Sequence, residues 1–342
     1  MKSLSAGKLR GLRRMADAAG RFKMTAVDQR PPIVNPIAAA RGGTAPWGDV
    51  ARFKTMLVEE LQGESTAMLL DPNYAYPMAV TRLDPRLGLI MTLEDSAFRE
   101  TGEGRLSAEI DDWSVEKIKR AGADAVKVLA WYRPDAPEAV NRHQRDFARR
   151  IGEACLRYDI PYLFELLVYP LPGEKNQTTQ YIEMAEKKSE LVLESVREFA
   201  KPEYAIDVFK LESPVPARDC DGSAGVQALF DEMGRLAGRP WVMLSAGAGM
   251  AEFRNVLGHA YAAGASGYLA GRAIWSEAFK AFPDWDGIRR GLQQGGVSYM
   301  RDINRLTDHQ AHPWWHAWGG ADMAHADAGF RHAYPGFGEA AR

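Results

Sequence analysis

Three ionisable residues stand in the middle of otherwise apolar runs: Lys210 in Asp207-Val208-Phe209-Lys210-Leu211-Glu212-Ser213, Lys127 in Ala125-Val126-Lys127-Val128-Leu129, and Glu165 in Pro161-Tyr162-Leu163-Phe164-Glu165-Leu166-Leu167. A lysine is almost never fully buried without a partner, so burial on three successive expected strands points to one shared site. Two lysines and a carboxylate suit Schiff-base chemistry. An amine must be partly neutral to attack a ketone, and a desolvated position beside a second ammonium group pushes its pKa down. Lys127 would supply that charge to Lys210, and Glu165 would carry protons through the carbinolamine, imine and enamine stages. Asp28, at the end of Met24-Thr25-Ala26-Val27-Asp28-Gln29-Arg30, would fix a substrate hydroxyl. No metal and no cofactor is implied, because the protonated imine is itself the electron sink.

The last two strands suggest what is bound. Leu244-Ser245-Ala246-Gly247-Ala248-Gly249 and Ala270-Gly271-Arg272 place glycines, a hydroxyl and a guanidinium at matching positions. Glycines let backbone N–H groups approach an anion, and arginine offers a fork of donors. A small sugar phosphate or another anionic head group fits. Bland uses compete for the same residues. Asp71 before Pro72 suits a turn, and Lys127 and Lys210 would serve equally well in salt bridges to Glu165 and Glu212.

The elements that must position these groups alternate. Apolar strands are expected at Met24, Ala67, Gly88, Ala125, Pro161, Asp207, Trp241 and Gly267, each ending in polar residues such as Asp28, Asp71, Glu94, Ser245 or Arg272. Helices are expected over about Val50–Leu61, from a Ser114 cap to Arg120, and over Glu138–Tyr158, Gln180–Phe199, Gly225–Leu236, Met250–Ala263 and Asp284–Leu306. Pro31 and Pro32 read as breakers, leaving a Pro/Gly/Ala-rich loop over 33–48. Near-continuous apolar strands with helical crossovers indicate a parallel sheet covered on both sides. Eight such units predict an α/β fold, a (β/α)8 TIM barrel over about residues 1–300 with an N-terminal helix, followed by a Trp/His-rich C-terminal extension over 301–342. An open doubly wound sheet is the alternative, but the Gly-rich dinucleotide fingerprint is missing after every strand.

Composition narrows the class. In 342 residues with 46% hydrophobic content and a net charge of −2 there is no footprint for nucleic acid or an anionic membrane. The basic stretch Lys2–Lys23 has leucines at near-helical spacing and reads as the solvated face of a first helix. Cys155 and Cys220 form neither a disulfide framework nor a metal-like pair, and no apolar run reaches membrane-spanning length, so a cytoplasmic protein is expected. His312 and His316 lie four apart, but Pro313 intervenes and no carboxylate completes a zinc pattern; packing or subunit contact is the expected use. Homo-oligomerisation suits the fold, with a subunit number the sequence does not fix.

Several ordered motifs together resemble the class I tagatose-1,6-bisphosphate aldolases, a family that includes sulfofructose-1-phosphate aldolases. They are Ala26-Val27-Asp28-Gln29-Arg30, Leu69-Leu70-Asp71-Pro72, Ala121-Gly122-Ala123-Asp124-Ala125-Val126-Lys127, Phe164-Glu165, Val208-Phe209-Lys210-Leu211-Glu212, Leu244-Ser245-Ala246-Gly247 and Gly271-Arg272-Ala273-Ile274-Trp275. The resemblance implies Lys210 as the Schiff-base lysine, Glu165 as the proton-transfer carboxylate, and Lys127 and Asp28 as supporting residues. It implies Gln29, Arg30, Ser245 and Arg272 as contacts to the substrate's anionic groups. The implied reaction is cleavage of a ketose 1,6-bisphosphate into dihydroxyacetone phosphate and glyceraldehyde 3-phosphate, or of a sulfonate analogue into dihydroxyacetone phosphate and sulfolactaldehyde. A deoxyribose-phosphate-type aldolase, a transaldolase and a non-catalytic phosphosugar sensor are the competing readings. The chain departs from the family's pattern at Pro31-Pro32 and in the tail after about Arg301.

Overall fold

The strands are short, β-branched or apolar, and buried on both faces, so they can close only on one another. In the computed structural model, which describes residues 1–174 and 188–337, they form a closed barrel of eight parallel strands. We number these β1 (Phe22–Ala26), β2 (Ala67–Leu70), β3 (Gly88–Thr92), β4 (Ala125–Trp131), β5 (Tyr162–Leu167), β6 (Val208–Leu211), β7 (Trp241–Met243) and β8 (Gly267–Ala270). They neighbour one another in chain order, with β8 beside β1.

The two-residue period of a strand sorts each run into two cores. Met24, Ala26, Ala67, Leu69, Ile90, Ala125, Leu163, Val208, Val242 and Leu269 pack together inside the barrel, sealed from below by Leu12, Met15 and Trp314. The alternate residues, among them Met68, Met91, Val126, Phe164, Phe209, Trp241 and Tyr268, join the helices in the outer core.

Helices follow the expected positions over Trp47–Leu61, Val115–Arg120, Glu138–Arg157, Ala224–Ala237 and Met250–Ala262. Ser114 caps its helix by accepting from the Lys117 N–H. The helix expected over Gln180–Phe199 is present from Ser189 to Phe199; its first part lies outside the described residues. The C-terminal helical stretch comprises Trp285–Gly291, a π-turn over Leu292–Gly296 and Val297–Gln310. The last of these runs through the boundary expected at residue 300.

Two expectations are corrected. Pro31 and Pro32 open a helix, Pro31–Ala40, instead of breaking one. The first positions of a helix have no intrahelical use for an N–H, and the fixed φ of proline suits them. In the basic N-terminal stretch, Lys8 is not solvated: it is 5% exposed and paired to Asp207 at 2.8 Å. A short strand, Lys2–Leu4, precedes the helix Ala6–Met15 and pairs in parallel with Ala321–Met323 of the tail. The rings of His312 and His316 lie 4.2 Å apart, beneath the barrel. Among the described residues no helix is long and apolar enough to cross a membrane, and Cys155 and Cys220 are buried without forming a disulfide.

Candidate active site

The period that fills the lower barrel with apolar side chains turns Lys127, Glu165 and Lys210 inward one layer higher. Register places Glu165 directly beside Lys210, and Thr92 beside Lys127. Asp28 and Glu94 extend the same inward faces two residues beyond β1 and β3. All are almost fully buried.

One network joins them. Lys127 Nζ lies 2.6 Å from Glu94 Oε1, 2.8 Å from Glu165 Oε2 and 2.9 Å from Asp28 Oδ2. Lys210 Nζ lies 2.9 Å from the same Glu165 Oε2, so the two lysines share one carboxylate oxygen. Burial opposes ionisation of Asp28, but the charges of Lys127 and Lys210 outweigh it and hold the carboxyl well below its ordinary range. The cluster resembles a buried ion-pair network in which attraction must offset a large desolvation penalty.

Above it opens a small cavity lined by Asp28, Gln29, Glu165, Lys210, Ser245 and Arg272, with an apolar side made by Leu167, Leu244 and Leu269. Asp28 Oδ1 and Gln29 Oε1 are buried with no hydrogen-bond partner among the described residues, so both can accept from a ligand hydroxyl. At one end of the cavity the helix Arg272–Phe279 begins. Ala246 and Gly247 both take the left-handed conformation, with φ of 55° and 86°, and a Cβ on Gly247 would lie 3.2 Å from Arg272 Nη1. Gly271 admits no side chain at all: a Cβ would stand 2.7 Å from both the Ala26 carbonyl oxygen and Gln29 Nε2. Ser245, Arg272 and the N-terminus of the helix that Arg272 opens form a site suited to a tetrahedral anion.

Of the residues singled out in the sequence, Asp28, Gln29, Glu165, Lys210, Ser245 and Arg272 line this cavity, with Gly271 in its wall. Gly247 is exposed beside Arg272. Lys127 lies just beneath. Arg30 does not reach the cavity. The helix starting at Pro31 turns its side chain towards β3, where Nη1 and Nη2 both donate to the Glu94 carbonyl at 3.1 Å. Asp71 is also structural. It is paired with the buried Lys54, which donates to the Val27 carbonyl at 2.8 Å, and it accepts from the Asn73 and Tyr74 N–H groups. Burial lowers the pKa of Lys54, and Asp71 opposes that. Glu212 accepts from the Val168 N–H at 2.7 Å.

Sequence reasoning noted Glu94 only as an acid at a strand end and missed Thr92 and Lys54. The Thr92-x-Glu94 spacing is the signal that would have found the first two, since both then face inward. A lysine on an amphipathic helix such as Lys54 carries no comparable signal.

The arrangement can perform nucleophilic attack on a carbonyl by Lys210, with proton transfer through the adjoining Glu165.

The model of the DeoC/LacD family aldolases matches residues 22–277. The tagatose 1,6-diphosphate aldolase of Listeria monocytogenes serotype 4a (strain HCC23) is 32% identical over 338 residues, covering 95% of this chain and 98% of the relative. The tagatose 1,6-diphosphate aldolase 1 of Enterococcus faecalis is 32% identical, covering 91% and 98%. Among solved structures, a Schiff-base-forming fructose-1,6-bisphosphate aldolase aligns with a TM-score of 0.56 at 18% identity, over 87% of this chain and 98% of that one. Fructose-bisphosphate aldolase from Plasmodium falciparum aligns at 0.66 and 13%, over 91% and 97%. These last two likenesses show the barrel fold.

Proposed function

The chain belongs to the DeoC/LacD family of aldolases, and from that premise we propose that it is a class I, metal-independent enzyme acting through an imine on Lys210. The observation that carries this reading is the shared oxygen. Among the described residues Lys210 Nζ has one carboxylate partner, Glu165, and opens onto the cavity, whereas Lys127 is held among three carboxylates.

The neutral Lys210 amine attacks the substrate ketone, and the carbinolamine loses water to give a protonated imine. That imine draws in the electron pair of the breaking C3–C4 bond while the C4 hydroxyl gives up its proton. The aldehyde departs and leaves an enamine, which is protonated on carbon and hydrolysed to release the ketone product and restore the lysine. Glu165 is the carrier for the protons exchanged at nitrogen and oxygen, and Asp28 and Gln29 accept from substrate hydroxyls. Ser245, Gly247, Gly271 and Arg272 hold the ketone-side phosphate.

The proposed substrate is a ketose 1,6-bisphosphate such as tagatose 1,6-bisphosphate, cleaved to dihydroxyacetone phosphate and glyceraldehyde 3-phosphate. The names of the relatives and the built anion site support it. Two buried cysteines without a disulfide fit a reducing compartment, so the cytoplasm is the proposed location.

Borohydride reduction with dihydroxyacetone phosphate in the presence of EDTA tests the mechanism, read by intact and peptide mass. The expected result is a covalent adduct on Lys210 that survives the chelator. An absent adduct, or one on another lysine, refutes the reading. A panel of ketose bisphosphates and the sulfonate analogue then identifies the acceptor.

A further inference from the structure

We propose that Glu94 is a positioning residue of the aldol reaction: with Asp28 it holds Lys127 as a fixed ammonium, so that the proton exchanged in imine formation passes between Lys210 and Glu165. The proposal rests on the class I reading above and assigns a role that the chemistry of the cavity alone does not require.

The two lysines differ in their surroundings. An ammonium has three N–H donors, and Lys127 has three carboxylate oxygens within 2.6–2.9 Å of Nζ. Lys210 has one. Glu94 gives the shortest of the Lys127 contacts, and unlike Asp28 and Glu165 it does not line the cavity. It touches the chemistry only through Lys127.

Glu94 is itself held rigidly. Its Oε2 accepts from Thr92 Oγ1 at 2.6 Å, and its backbone carbonyl accepts from both Nη atoms of Arg30. Its side chain is about 2% exposed. The charged groups that face Lys127 therefore come from every side: Asp28 from beyond β1, Glu94 from beyond β3, Glu165 from β5, Lys210 from β6 across the shared oxygen, and Arg30 behind Glu94 at 3.8 Å. Removing the Glu94 charge leaves Lys127 with two carboxylates while Lys210 and Arg30 still repel its proton. An opposite charge at this range moves a pKa by about 1–3 units, so Lys127 should then lose its proton at lower pH. As a neutral amine it would compete with Lys210 for the proton on Glu165.

The test compares pH profiles of kcat for retro-aldol cleavage in the wild type, Glu94→Gln and Glu94→Asp. Glutamine keeps the shape and the backbone carbonyl that Arg30 uses; it removes the charge and leaves one side-chain oxygen to accept from either Lys127 or Thr92. The expected result is a kcat lowered about 10–100-fold with the alkaline limb displaced by about one pH unit towards acid. Glu94→Asp should recover part of both. An unmoved alkaline limb overturns the proposal, whether or not kcat falls, since a purely structural role would lower stability without shifting it. Should Glu94→Gln fail to fold, Thr92→Val is read the same way: a smaller displacement supports the proposal and none refutes it. Borohydride trapping of wild-type Lys210 is run in parallel. Its failure would refute the class I reading itself, whereas trapping with an unmoved limb would refute only the role of Glu94.

Discussion

The two ends of the barrel bury charge in opposite ways. At the foot, Lys8 Nζ meets Asp207 Oδ2 at 2.8 Å, and the same oxygen accepts from the Tyr162 N–H at 2.8 Å. Each charge there has its own partner, and the pair ties the helix Ala6–Met15 to the turns entering β5 and β6. At the mouth, Asp28, Glu94 and Glu165 face Lys127, Lys210 and Arg30; one carboxylate oxygen serves two lysines, and Asp28 Oδ1 and Gln29 Oε1 are buried with no hydrogen-bond partner among the described residues. The charges are equal in number but unequally shared. A closed pair fastens one element to another, while a shared oxygen leaves a proton with two places to go. This matches the division of labour between the stable and the catalytic face of such barrels.

The largest effect that separates the ends should come from Lys210→Arg. Arginine keeps a cation beside Glu165 but cannot be deprotonated in a protein, so no imine forms. Cleavage should fall by a factor on the order of 10⁴ or more. Thermal unfolding should change by no more than about 1 kcal/mol, because the charge balance survives and the side chain opens onto a cavity. A variant that kept a substantial fraction of the rate would assign the chemistry to another group.

At the foot the same kind of change should act the other way round. Lys8→Met leaves Asp207 buried without its lysine, accepting from the Tyr162 N–H, and breaking a buried pair costs about 3–5 kcal/mol. Denaturant unfolding should show that loss while kcat of the folded enzyme stays unchanged. The double variant Lys8→Met/Asp207→Leu should regain part of it, since it removes the stranded charge but leaves the Tyr162 N–H without its acceptor, at a cost of about 1–3 kcal/mol. A fall in kcat at matched folded fraction would mean that the two ends are coupled.

The barrel and its charged layer were legible because each strand is buried on both faces, so a single Lys127, Glu165 or Lys210 stands out from its apolar run. Distance along the chain hid what was missed. Lys2–Leu4 pairs with Ala321–Met323, and nothing local in either segment announces the other. The direction of Arg30 depends on a helix beginning at Pro31, where the proline signal is ambiguous: the same residue that breaks a helix interior suits its first turn. Glu94 was visible as an acid at a strand end. Its partnership with Lys127 required the register between β3 and β4 and the closure of the barrel, neither of which a single run of residues encodes.

The smallest predicted effect sharpens the comparison through pH. Asp159 caps the helix Ala6–Met15 from outside its own segment: Oδ2 accepts from the Gly7 N–H at 2.7 Å and Oδ1 from the Lys8 N–H at 3.2 Å. The hydroxyls of Ser5 and Tyr334 donate to the same carboxylate, pinning the C-terminal tail to the foot. Burial works against the charged form, but these four donors prevail and lower the pKa of Asp159 below its usual value. A depressed carboxylate contributes stability that is present above the unfolded-state pKa of about 3.9 and is lost as pH falls through the folded one. Asp159→Asn retains an acceptor but not the charge. It should cost about 0.5–2 kcal/mol near neutral pH, the range of a lost helix cap. The deficit should narrow as pH falls below about 4, where the wild-type carboxylate takes up its proton. Activity should be untouched throughout, because no residue of the mouth contacts this carboxylate. A deficit that stayed constant from neutral to acid pH would show that shape, not charge, holds the foot closed.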